Sequence, residues 1–104
     1  MRFTFAWLAA PVMILAGCVA FVPEPEPSDA GENEGVLREL SAGRRLYVEK
    51  CAGCHRLYDV DAYGDDEWRS HVREMIVENK VRLSGSEHSS LVRYLTTLNG
   101  KARP

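Results

Sequence analysis

Cys51, Cys54 and His55 stand together as Cys-Ala-Gly-Cys-His, the densest concentration of ligating side chains in the sequence. Cys-x-x-Cys-His is the attachment signature of c-type haem. Two thiols three positions apart can each add to one vinyl group of the same porphyrin. The adjacent imidazole then meets the iron as proximal ligand. Small Ala52 and Gly53 let the backbone lie close to the haem edge. Two rival chemistries use similar residues. A thioredoxin-like dithiol needs a strand–helix setting, and no strand pattern precedes Cys51. A structural zinc site needs four ligands, and the chain has no second cysteine pair to supply them.

The open face of a haem needs a sixth ligand or stays vacant. Met1 and Met13 lie in the first segment of the chain, which leaves Met75 as the thioether of the rest. Thioether ligation raises the reduction potential of a haem. Met75 shares an apolar stripe with Trp68, Val72 and Ile76 at helical spacing. His71, one turn earlier, and His88 are the competing ligands. A vacant site would instead suit a gas sensor or a small haem enzyme. Arg56 follows the motif and is a candidate for a haem propionate, with a solvated side chain as its alternative. Trp68 is a second candidate through its indole N–H, with core packing as its alternative. Leu57, Tyr58 and Tyr63 are expected to line the pocket. Asp59, Asp61, Asp65, Asp66 and Glu67 are expected in a solvated loop and helix start, with a docking patch as the other reading.

Three helices must position these groups, which makes the expected fold all-α. The first places Val36, Leu40, Gly43, Tyr47 and Cys51 on one face at 100° per residue. Its buried glycine implies close approach of another helix. The second starts near Tyr63-Gly64-Asp65, with acids in its first turn, and should run to about Asn79. The third opens with Ser84-Gly85-Ser86-Glu87, the form of a capping box. Leu91, Tyr94, Leu95 and Leu98 form its stripe, and Asn99-Gly100 is a stop that tolerates a left-handed cap.

With Gly43 eight residues and Tyr47 four residues before Cys51, the chain resembles the cytochrome c family over roughly Leu40 to Asn99. In that family this helix crosses a C-terminal helix bearing a Leu and an aromatic three residues apart, and Leu91 and Tyr94 match that pair. The resemblance implies three helices around one covalent haem, ligated by His55 and Met75, that exchanges electrons with redox protein partners rather than catalysing a reaction. Small bacterial haem domains with a Trp-x-x-x-Val-x-x-Met helix are similar to Trp68–Met75. The twenty-residue step from His55 to Met75 is shorter than in mitochondrial-type members. A haem subunit of a larger oxidoreductase fits the same residues.

The N-terminal third is of another kind. Arg2 is the only charge before Val22, and Phe3–Leu15 is apolar apart from Thr4, the pattern of a secretory signal. Leu15-Ala16-Gly17-Cys18 resembles the bacterial lipobox, which implies cleavage after residue 17 and a lipid on Cys18. An uncleaved transmembrane helix is the alternative, since the apolar stretch is about 20 residues long. Either reading puts the rest of the chain outside the cytoplasm and on a membrane, with the periplasmic face of a bacterial membrane as the expected location. Residues 18–35 carry five acids and no bases and include Pro23-Glu24-Pro25-Glu26-Pro27. They read as an extended, solvated tether reaching on the order of 50 Å at about 3.1 Å per residue. Residues 36–104 are the expected haem domain, with twelve bases and ten acids. The formal net charge of −2 over 104 residues argues against a nucleic-acid binder, and the length against a second domain.

Overall fold

The computed structural model describes residues 19–52 and 56–104. The expected signal segment 1–17, the anchor candidate Cys18, and the motif residues Cys54 and His55 lie outside the described residues. Three α-helices dominate: α1 (Glu34–Leu46), α2 (Asp65–Val77) and α3 (Gly85–Leu98). Among the described residues there is no strand, so the chain is all-helical there. No helix among these residues is long and apolar enough to cross a membrane.

Helix α1 is capped by Asn33, whose side chain accepts from the Val36 N–H at 3.0 Å. It packs along α3. Gly43 is what permits the approach, because a Cβ there would strike the Ser90 carbonyl and stand 2.6 Å from the Tyr94 Cβ. The expected face is buried at Leu40, Gly43, Tyr47 and Cys51. The α-helix ends at Leu46, however, and Tyr47–Cys51 form a π-helical turn. Both Tyr47 and Cys51 are buried in this turn.

Helix α2 begins with three acids after Gly64 and ends at Val77, two residues short of the expected Asn79. The chain then reverses through Lys80, a non-glycine residue with φ of 59°. That conformation lets the Val81 N–H reach back to the Met75 carbonyl at 3.1 Å. The α3 capping box forms as read: Ser84 Oγ accepts from the Glu87 N–H at 3.1 Å and Glu87 Oε1 from the Ser84 N–H at 2.9 Å. The stop differs. Asn99 stays right-handed, and its side-chain amide instead donates to Asp65 Oδ1 (2.7 Å) and the Tyr63 carbonyl (3.3 Å), tying α3 to the start of α2.

The solvated-tether expectation for residues 18–35 is corrected over Phe21–Ala30, where the chain is a strap docked on the helices. The Phe21 N–H donates to Asp59 Oδ1 (2.7 Å), and the Phe21 carbonyl accepts from the Val60 N–H (2.8 Å). Arg44 donates twice to the Val22 carbonyl at 3.2 Å, and the Tyr94 hydroxyl donates to the Pro23 carbonyl at 2.7 Å. A short 3-10 turn, Pro27–Ala30, follows and buries Ala30. The physical reason is that prolines keep this stretch extended, so its carbonyls have no local donors and are satisfied from outside. Lys101 closes the strap on Asp29 (2.7 Å) and Glu26 (3.3 Å).

Candidate functional site

The π-turn, α2, the 81–83 segment and α3 enclose a cleft of about 180 Å³. Cys51 and Tyr47 contribute from the π-turn. Trp68, His71, Val72, Met75 and Ile76 line it from α2, Val81 and Leu83 from the segment after it, and Leu91 and Leu95 from α3. The sequence candidates Cys51 and Met75 therefore face one apolar space. Cys51 is 7% exposed, and Met75 is half-buried near the C-terminal end of α2.

Aromatic packing fixes the α2 wall. Tyr47 meets Trp68 edge-on at 5.6 Å between centroids, and Tyr63 meets Trp68 at 5.1 Å. The Tyr47 hydroxyl donates to the Tyr58 carbonyl, and burial pushes the Tyr47 phenol well above its ordinary pKa, so it stays a donor. Tyr58 borders the cleft as expected, but Leu57 and Tyr63 do not. Tyr63 instead lies against the His71 ring at 4.2 Å. His71 does line the cleft. His88 is exposed and lies in a separate groove between α2 and α3, away from the space that Cys51 and Met75 share.

Two expected propionate donors fare differently. The buried Trp68 indole N–H donates to the Val60 carbonyl at 2.8 Å, so it is a packing and bracing residue, not a free donor toward a cofactor. Arg56 is exposed at the surface directly after the motif. The acidic loop is not a fully solvated stretch. Asp59 and Asp61 hold Arg103 at 3.1 and 2.7 Å, and Asp65 accepts from Asn99. The Phe21 N–H and Arg103 together hold the Asp59 carboxyl below its ordinary range, and Arg103 does the same for Asp61.

Asn79, Val81 and Leu83 join the site without having been singled out for it. Asn79 Nδ2 lies 3.5 Å from Met75 Sδ and donates to it. The four-residue spacing of a Met and an amide was the available signal. Val81 and Leu83 were missed as walls because a left-handed Lys80 folds them back, which no apolar pattern announces.

The cleft is walled mostly by aromatic and aliphatic side chains, with His71, Glu74 and Asn79 also lining it, and a thiol and a thioether, both soft donors, line it from two different elements. Among the described residues no three His, Cys, Asp or Glu side chains converge as a metal site would require. Comparison with protein-family models, with curated proteins and with solved structures found no match for this chain.

Proposed function

We propose that this chain is a membrane-anchored monohaem cytochrome c that passes single electrons between redox protein partners. In this reading Cys51 and Cys54 hold the haem through thioethers, His55 is its proximal ligand and Met75 its distal ligand. One observation carries it: Cys51, the first thiol of the haem-attachment motif, is buried in the wall of the apolar cleft that Met75 also lines. The crossing of α1 and α3 at Gly43 and Tyr94 supports a cytochrome c-like arrangement of the helices. Bound haem supplies Fe(II)/Fe(III) exchange. The chain's own residues exclude water from the cleft, present the Met75 sulfur, and set that sulfur's basicity through the Asn79 amide. The anchor is a lipid on Cys18, which puts the domain outside the cytoplasm.

The test is absorption spectroscopy of the chain expressed with a c-type haem maturation system, wild type against Met75→Ala. The expected result is a covalent, low-spin haem whose long-wavelength charge-transfer band is lost in the variant. A high-spin wild-type spectrum that shifts on adding CO would overturn the carrier reading and favour a sensor or enzyme with an open site.

A further inference from the structure

We propose that the chain lies directly against the membrane that holds its anchor, with the strap exit and the C-terminal tail facing the lipid surface. The inference rests on the anchor at Cys18 and on the point at which the folded chain begins. Only Val19 and Ala20 separate Cys18 from Phe21. Phe21 is held through both of its backbone polar groups: its N–H donates to Asp59 and its carbonyl accepts from the Val60 N–H. Three residue steps of fully extended chain span at most about 10 Å. A free stretch of residues 18–35 would instead let the domain wander on the order of 50 Å away.

The surface at that exit mixes apolar and charged side chains. Val19 is 90% exposed and apolar. Beside it the Arg103 guanidinium lies over the Phe21 ring at 4.9 Å, with its charge balanced by Asp59 and Asp61. Phe21, Pro23, Glu24 and Glu26 border a shallow hollow with Lys101, Ala102 and Pro104, so the C-terminal tail belongs to the same face. Two aspartates pair with one arginine and two glutamates border the adjoining hollow, so the short reach from Cys18, not an attraction of this face to lipid, sets its depth. None of these residues lines the cleft shared by Cys51 and Met75, so contact with lipid here leaves that cleft's walls uncovered.

Neutron reflectometry on the full lipidated chain at a supported phospholipid bilayer tests this. Protein density is expected to begin within about 10 Å of the headgroups. A variant with twelve Gly/Ser residues inserted between Ala20 and Phe21 keeps every strap contact and should open a hydrated gap of roughly 20 Å. A wild-type chain that stays on the bilayer but stands off by several tens of ångströms overturns this inference alone. A wild-type chain that carries no lipid and washes from the bilayer overturns it together with the anchor reading.

Discussion

At the residue scale, two side-chain positions carry opposite kinds of constraint. Gly43 is defined by what it lacks. Within a helix, Gly→Ala normally gains about 1 kcal/mol. Here the added methyl would meet the Ser90 carbonyl and the Tyr94 Cβ, both fixed by α3. Overpacking of that kind costs roughly 1–3 kcal/mol. Gly43→Ala is therefore expected to lower the urea midpoint, and a raised midpoint would mean that the α1–α3 crossing is looser than described. Trp68 is defined by what it donates. Trp68→Phe keeps an aromatic ring against Tyr47 and Tyr63 but strips the Val60 carbonyl of its partner. Val60 is fully buried, so an unsatisfied group there costs about 1–3 kcal/mol. The expected outcome is a loss of stability with unchanged haem absorption bands. A changed spectrum with unchanged stability would return the indole to the role of propionate donor.

At the scale of elements, the strap should be the part that acid releases first. Asp59 is held below its ordinary 3.8 by the Phe21 N–H and then by Arg103, and Asp61 chiefly by Arg103. Asp29 is lowered too, because the bonds from Lys101 and the Glu26 N–H outweigh the opposing effect of burial. A carboxyl depressed in the fold stabilises it above the ordinary value, and that contribution disappears as pH falls through the lower, folded value. The Phe21 and Val60 amide resonances are thus expected to move together as pH drops below 3.8, while the Leu95 amide in α3 holds. Arg103→Ala should shift that transition to higher pH, and a strap transition unaffected by this change would show that the Arg103 pairs do not hold it. The helices around the strap were legible in the sequence, since each is set by local rules: apolar spacing in all three, the Ser84–Glu87 box in α3, the acids after Gly64 in α2. Cys51 and Met75 were legible for the same reason, by spacing within a motif and along a stripe. The strap was not. Its Pro-Glu alternation has the composition of a solvated spacer, and what docks it is a row of backbone carbonyls whose donors, Arg44 and Tyr94, stand far away in sequence. Nor was the fate of the Trp68 N–H legible, because a buried indole always needs an acceptor and composition does not say which.

At the scale of the molecule, the strap bears on what the smallest stable unit is. Residues 36–104 were the expected domain, a length at which a single core is thin and an added staple is usual. The haem attached at Cys51 and Cys54 is one such staple in the proposed function, and the strap is a second, made without covalent bonds. A chain beginning at Val36 would lose the Asn33 cap of α1, worth about 1 kcal/mol. It would also strip acceptors from Arg44 and from the Tyr94 hydroxyl, whose ring is fully buried between α1 and the strap. Burial already pushes the Tyr94 phenol above its ordinary pKa, so the group cannot ionise its way out of the loss. Net hydrogen bonds of roughly 0.5–1.5 kcal/mol each, together with the cap, put the cost of truncation on the order of 2–4 kcal/mol. Urea unfolding of haem-loaded 36–104 against haem-loaded 19–104 measures it directly. A midpoint markedly lower for the shorter chain is expected and would place the strap within the cooperative unit. Equal midpoints would mean that the helices and haem suffice, and that the strap serves to set where the domain sits rather than whether it folds.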